Sequence, residues 1–317
     1  MKGRQMIYRA KIRPQSSYIS KLQSDTFFGA FCWSYKYLYG DEKLKTFLED
    51  AWDGHPGVIF SNAFPEETLP LPLGLYDEDR NIDQVIDKAE RKKAYQQNKK
   101  YKKCGFLNRN TFLCGRQGEW RGYSSSLSSE PEIVRDTVHN MVPRAGSDAS
   151  EAGADAELFS VEEQFVNQGV YDLYVLSEIE YDVLLKVMKL MFALGIGARK
   201  SVGKGNFELL SLEEDQMLAA FSEGNAFLAL SNFIPSRNDP AEGFYKTIVK
   251  YGKLDRELSV DEQPYKKPLL FLQAGAVFRC REKEIKPYYG RCLHGIAVDP
   301  DITVNACTIA IPMRLPD

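Results

Sequence analysis

Hydrophobic and polar positions alternate from Gln5 to Arg13 (QMIYRAKIR), the pattern of a strand with one buried face, and Pro14 ends it. The period then changes. Phe27, Phe31, Tyr35 and Leu38 recur at spacings of four, four and three, which places them on one face of a helix. Ser24 or Asp25 is the expected N-cap and Gly40 the expected stop. Gly29, Ala30 and Ser34 leave another side of this helix open to close packing. Val58 to Ser61 reads as a short strand, and Pro65, Pro70 and Pro72 make the following stretch a turn or extended loop. Val170 to Leu176 (VYDLYVL) is a strand, and Tyr181, Leu184, Val187, Met188, Met191 and Phe192 fall at helical spacing. The glycine-rich stretch Gly195 to Gly205 leads into a strand over Asn206 to Leu210.

With its middle set aside, this part of the chain reads strand, helix, strand, insertion, strand, helix, strand, the order of a ferredoxin-like domain. The second and third strands of that topology form a hairpin, so an insertion of roughly a hundred residues between them projects as an arm. The last third is richer in strand signals, at Ala226–Phe233, Tyr245–Tyr251, Leu269–Arg279, Tyr289–Val298 and Ala306–Leu315. The expected class is α+β: a ferredoxin-like (RRM-like) domain over 1–212 carrying an arm at about 75–165, then a second, mainly β or again ferredoxin-like domain over 213–317.

Charge changes the picture of the insertion. The net charge is only -3, which argues against nucleic acid binding over the whole surface, and clustering becomes the question. From Lys88 to Arg121 there are eleven Lys or Arg and two acids, whereas Glu130 to Glu163 holds nine acids against Arg135 and Arg144. The basic stretch interleaves its cations with Tyr95, Tyr101, Phe106, Phe112, Trp120 and Tyr123. Cations on phosphates with aromatics on splayed bases is how single-stranded RNA is gripped; the alternative is a solvated helix followed by a hairpin. AGSDASEAGADAE, which follows, is of low complexity.

Six scattered cysteines without a CxxC pair indicate reduced, mostly buried thiols. The N-terminus has no signal-peptide core, and no stretch approaches the roughly 20 apolar residues of a membrane span, so a cytoplasmic protein is expected. His55, His139 and His294 lie at no metal-ligand spacing, and neither a nucleophile elbow nor a paired-carboxylate pattern is present. No cofactor is expected and catalysis has little support, although His139 could serve a metal-independent ribonuclease as general base.

The most specific local feature is GIGARKSVGKGNFEL, where Gly195, Gly197, Gly203 and Gly205 surround Arg199, Lys200, Ser201 and Lys204. Glycine lets a backbone approach phosphate closely, and the cations supply donors and charge. It is not a P-loop: five residues, not four, separate Gly197 from Gly203, and Gly205 follows Lys204 where Ser or Thr is required. Position 200 also lacks the third glycine of a dinucleotide fingerprint. A flexible helix-to-strand connection is the plain alternative.

SDTFFGAFCWSYKYLYG, PGVIFSNAFPEETLPLP, HNMVPR, ARKSVGKGNFEL, KKPLLFLQAGAVF and YYGRCLHGIA occur in that order, and together they resemble blocks of the fourth Csm subunit of type III-A CRISPR effector complexes. That family belongs to the RAMP superfamily and its Cas-five group. The resemblance runs from about residue 7 to the C-terminus and is weakest in the arm and over 146–157. It implies two RRM-like domains, a glycine-rich loop at the RNA and a β-hairpin thumb that displaces bases. It also implies a subunit that is not a nuclease, that caps the filament and holds the repeat-derived 5′ handle of the crRNA. The implied partners are that crRNA, a large Cas-ten-type subunit, the third Csm subunit as a Cas-seven-type backbone and, indirectly, target RNA. Carried onto this chain, Gly195, Gly197, Arg199, Lys200, Ser201, Gly203, Lys204 and Gly205 would contact handle phosphates, with Lys21, Ser24, Asp25 and Thr26 where the first helix begins. His139, Asn140 and Arg144 match the stretch preceding or forming the thumb; Gly275, Tyr289 and Arg291 are the C-terminal candidates, for which a place in a core strand is the alternative. Two rivals remain: a Cas-six-like repeat endoribonuclease using His139, and a scaffold whose basic arm binds an acidic partner instead of RNA.

Overall fold

In the computed structural model, which describes residues 5–75, 92, 103–118, 120, 123–129, 133–141, 157–165, 169–220, 223–256, 258, 263–281 and 285–315, the N-terminal alternation becomes strand β1 (Met6–Pro14). Helices α1 (Ser24–Tyr39) and α2 (Asp41–Trp52) follow, then β2 (Val58–Pro65) and β3 (Thr68–Pro70). Next come β4 (Phe106–Asn108), α3 (Arg109–Gly115), β5 (Leu127–Ser128), and the long strands β6 (Ile133–Met141) and β7 (Glu157–Phe165). β8 (Tyr171–Ser177), α4 (Tyr181–Ala193) and β9 (Phe207–Glu214) close this half. The rest comprises α5 (Gln216–Ala219), β10 (Ala226–Ala229), β11 (Gly243–Phe244), β12 (Thr247–Lys250), β13 (Leu269–Leu272), β14 (Val277–Arg279), β15 (Tyr288–Leu293) and β16 (Val304–Met313). No helix among the described residues is long and apolar enough to cross a membrane.

The first sheet has the order β2-β8-β1-β9, with antiparallel neighbours throughout. Its period-two pattern sorts the side chains. Tyr8, Ala10 and Ile12 of β1, Val58 and Phe60 of β2, and Leu173 and Val175 of β8 pack under α1 and α4, against Phe27, Phe31, Val187 and Met191. The alternate residues Ile59, Phe64, Tyr174 and Leu176 face the other way, into a second core shared with Leu228 of β10, Val277 of β14, and Ile309 and Ile311 of β16. β8 is therefore buried on both faces, which is why its sequence reads as a near-continuous apolar run. The C-terminal five-stranded sheet, in the order β11-β14-β10-β16-β15, lies on that core; β12 and β13 form a separate ribbon. The described residues after 220 form no α-helix, so this part is mainly β.

A bulge in β2 joins the two sheets. The register shifts between Phe60 and Ala63, freeing Asn62 N to donate to Leu230 O (2.9 Å) and Ala63 N to Leu22 O (2.9 Å). The Asn62 Oδ1 accepts from Ser24 N, while Asn62 Nδ2 donates to Asn232 Oδ1 (3.2 Å).

Several expectations change. Neither Ser24 nor Asp25 caps α1: Gln23 holds that position without a side-chain bond, Ser24 is buried with its amide on Asn62, and Asp25 in the first turn pairs with Lys250 of β12. Gly40 does end α1, at φ +89, but α2 begins at once, its apolar Leu44, Phe47, Leu48 and Ala51 spaced to cover one side of the core. The strand expected over Leu269–Arg279 is two, broken by a turn at Gly275 (φ +91), so that β13 joins the ribbon and β14 the main sheet.

The basic stretch changes most. Phe112, Trp120 and Tyr123 are core residues here and Phe106 packs beside them, while β3, β4 and β5 form a small sheet against which α3 folds. Trp120 Nε1 donates to Arg314 O (2.9 Å) and Tyr123 Oη to Leu75 O (3.2 Å). Burial is the stronger claim on large aromatics whenever a core lies within reach. These four are therefore not a base-stacking surface; Tyr95, Tyr101 and the low-complexity stretch lie outside the described residues. All six cysteines are free, but only Cys307 is buried, Cys114 is exposed and the other four are half-buried, against the expectation of mostly buried thiols; burial raises the thiol pKa of Cys32, while a hydrogen bond with Cys292, together with burial, raises that of Cys307.

Candidate nucleic-acid interface

The glycine-rich loop leaves the end of α4 and folds back onto itself. Ile196 N donates to Gly205 O (2.7 Å), and Gly205 N donates to Ser17 O (2.8 Å). At Gly205, φ is +70 and a Cβ would stand 2.1 Å from Ile196 O, so only glycine fits. Between these closures Arg199 takes a left-handed backbone (φ 59), Lys200–Val202 make one 3₁₀ turn, and Gly203 (φ 80) returns the chain. The segment after β1 runs along the loop and fastens it: Ala198 N donates to Ser20 Oγ (3.0 Å), Asn206 N to Ser16 Oγ (2.9 Å), and Gln15 N to Asn206 O (2.8 Å). The result is a preformed loop whose crest, Ser201 to Gly203, is exposed, with Lys21 exposed close to Ser20.

The two lysines of the loop are tethers as well as charges. Lys204 Nζ donates to Ser17 Oγ (2.9 Å) and to the buried carboxylate of Glu163 (2.8 Å), and Ser17 Oγ donates to the same carboxylate oxygen (2.9 Å). Lys200 pairs with Asp255, which arrives from the C-terminal half of the chain. Glu163 belongs to β7, and the neighbouring Gln164 exchanges backbone bonds with Tyr18 (Gln164 N to Tyr18 O 2.8 Å, Tyr18 N to Gln164 O 3.1 Å). Here β6 and β7 form an antiparallel ribbon in continuous register from Ile133↔Phe165 to Met141↔Glu157. Its base is thus fastened to the glycine loop, and its outer strand leaves Ile133, Val134 and Val138 exposed.

The expected site residues fall into separate sets. The loop Gly195–Gly205 is held by Ser16, Ser17 and Ser20, directly before Lys21, whereas Ser24 and Asp25 contact Asn62, Asn232 and Lys250, and Thr26 N and Oγ1 turn back to Gln23 O (3.0 Å) and Lys21 O (3.5 Å). His139 and Asn140 lie far along the ribbon, opposite Phe159 and Leu158, and Arg144 lies outside the described residues. The C-terminal candidates are elsewhere. Gly275 N donates to Ala229 O (2.8 Å), and its own carbonyl accepts from Leu73 N (2.9 Å), which is a packing role. Tyr289 is buried and stacked on Phe227 at 4.3 Å, so the core reading holds for it. Arg291 is exposed and lines a cleft of about 310 Å³ with Trp52, Gly54, Ser236 and Tyr288, away from the loop.

Sequence reasoning missed the fasteners Ser16, Ser17, Ser20 and Glu163, and Asp255. A serine-rich turn directly after a strand was a legible hint for the first three; nothing local marks Glu163 or Asp255, whose partners are 41 and 55 residues distant. Among the described residues, no group of three His, Cys, Asp or Glu could hold a metal ion.

No protein-family model and no curated protein matches the sequence. Solved structures do match. A chain of a Csm1-Csm4 cassette in complex with cA4 aligns with a TM-score of 0.60 at 18% identity, covering 99% of this chain and 99% of that one. One from the Csm1-Csm4 cassette in complex with cA3 gives 0.57 at 20% identity with the same coverage. Another, from a Csm3-Csm4 subcomplex of the type III-A CRISPR-Cas interference complex, gives 0.55 at 15% identity over 97% of this chain and 99% of that one. Csm4 is the component common to both kinds of assembly, and the alignments run nearly end to end, so this chain has the fold of a Csm4 subunit.

Proposed function

We propose that this protein is the Csm4-type subunit of a type III-A CRISPR effector complex, that it holds the repeat-derived 5′ handle of the crRNA at the glycine-rich loop, and that it acts without cleaving RNA. The observation that carries this reading is the Lys204–Glu163–Ser17 knot, which makes the preformed glycine loop and the base of the β6–β7 ribbon one surface. An exposed crest flanked by cations beside a two-stranded projection suits a strand of RNA that must be gripped at its backbone and have its bases parted. Arg199 and Lys21 supply charge, the exposed crest supplies Ser201 and backbone, and the ribbon that carries His139 and Asn140 serves as the thumb. Lys204 works by holding thumb to loop.

The strand order β2-β8-β1-β9, with α1 and α4 as crossovers, supports a ferredoxin-like N-terminal domain over 1–212 with its insertion at about 75–165. The mainly β remainder is a second domain of related but helix-poor form. The partners are the large Cas-ten-type subunit and the Cas-seven-type backbone subunit, with target RNA reached indirectly, in the cytoplasm.

The test measures binding of labelled repeat RNA to the full chain, alone and with the other subunits, across a salt series. A Lys21→Gln, Arg199→Asn variant is compared; Asn tolerates the left-handed backbone at position 199. Affinity is expected to fall at least about tenfold, as for loss of charge-assisted contacts. The salt slope should shrink by about 1.4, since each single-strand phosphate contact contributes about 0.7. The RNA should be recovered intact. Unchanged binding would remove the loop from the interface, and specific cleavage would make the protein a ribonuclease.

A further inference from the structure

The partner of Lys200 sits in a turn that also reaches the exposed side of α1. Asp255 takes the Lys200 ammonium, and the next residue, Arg256, lays its guanidinium over two aromatic rings, 5.3 Å from Tyr37 and 5.8 Å from Trp33. Arg256 Nη1 also donates to Tyr37 Oη (3.4 Å). Trp33 and Tyr37 are one helical turn apart on α1 with ring centroids at 6.0 Å, and Tyr37 remains 47% exposed. Lys36 adds a second cation at 5.4 Å from the Trp33 ring. One carboxylate on the cation of the glycine loop and one planar, delocalised group over an aromatic pair, carried by adjacent residues, reproduce the chemistry of a nucleotide: an anion joined to a flat stacking group.

We propose that Lys200 with Trp33 and Tyr37 forms a nucleotide subsite for single-stranded RNA, and that the Asp255–Arg256 turn occupies it in the free protein as a mimic of phosphate and base. The inference rests on the reading of the loop as an RNA site. The turn is suited to leaving. Asp255 is 44% exposed, and Arg256 holds a left-handed backbone (φ 54) that residues with side chains adopt at a cost, so displacement releases strain. Because RNA must first expel the turn, its apparent affinity is lowered by the fraction of molecules in which the subsite is open. The turn also favours RNA over a free anion: only a ligand that both pairs with Lys200 and stacks on the rings replaces both contacts.

The experiment compares repeat RNA binding by the full-length wild type and by an Asp255→Asn, Arg256→Asn variant, in which the left-handed backbone at 256 is still tolerated. The variant is expected to bind at least about fivefold more tightly, as expected where opening is the unfavourable step. Adding Trp33→Ala and Tyr37→Ala should abolish that gain. Glu223→Gln with Arg314→Gln, which likewise removes one acid and one base but from an exposed pair outside the proposed subsite, serves as the electrostatic control and should change affinity less than about twofold. Equal or weaker binding by the Asp255→Asn, Arg256→Asn variant overturns the proposal, as does a gain that persists without the two rings. If the wild type binds RNA while the variant does not differ from it, the mimic alone is refuted; if neither binds RNA, the assignment of the loop falls with it.

Discussion

Replacing Arg109 by alanine is expected to lower stability by about 3–5 kcal/mol, the cost of leaving a charge buried and unpaired. Arg109 opens α3 in the small sheet layer, and its Nη2 reaches both oxygens of Asp215 at 2.7 and 2.8 Å. Both side chains are nearly inaccessible, at 7% and 2% exposure. Asp215 is committed further, because its Oδ1 also accepts from Leu218 N (2.9 Å) as the N-cap of α5. Truncating the arginine strands that carboxylate between two layers of the fold. Urea denaturation of single and double variants measures the effect. Asp215→Asn in the Arg109→Ala background should recover most of the loss, since a neutral amide keeps the cap and removes the stranded charge. A loss below about 1 kcal/mol for Arg109→Ala would mean that water reaches the pair and that the small layer is loosely attached.

The second large effect is expected at Gly205. Gly205→Ala places a Cβ 2.1 Å from Ile196 O in a backbone at φ +70, and the opposing atom is main chain, which cannot swing aside. The left-handed conformation costs about 1–2 kcal/mol for a residue with a side chain. Overpacking adds about 1–3 kcal/mol, so a loss of about 2–5 kcal/mol is expected, together with opening of the Ile196–Gly205 closure. Gly203→Ala is the comparison. Gly203 has the same sign of φ (+80) but nothing within 4 Å of its Cβ position, so only the conformational cost should appear. Thermal unfolding of the pair, with hydrogen exchange at the Ile196 amide, separates local opening from general destabilisation. Equal losses at the two positions would show that the closure is not what shapes the loop.

The strand and helix order of the first sheet was legible because its determinants are periodic and local, whereas the second sheet's place on a core shared through Tyr174 and Leu176 was not. β1 announced itself by alternation and α1 by Phe27, Phe31 and Tyr35, and the same residues form the core beneath the helices. The glycine loop was legible for another reason: four glycines and three cations in eleven residues exceed what a connection needs, and four of those glycines do hold positive φ. The aromatics Phe106, Phe112, Trp120 and Tyr123 were misread because composition reports what a side chain could touch and not what lies nearby. Phe112 and Trp120 suit a nucleobase and a protein core equally well, and only the arrival of β16 and α5 beside them decides for the core.

By itself, then, the sequence determined the main strands and helices of the first sheet, the α+β class and the tight turning of the glycine loop, because helix and strand periods and left-handed glycines are written within a few residues. The tertiary structure alone decided what each charge does. Lys204 became a fastener when β7 brought Glu163 against it, and Lys200 acquired a carboxylate partner when the C-terminal half brought Asp255. Ion pairs carry no sequence period, and their strength depends on separation and burial, which the chain acquires only when distant segments meet.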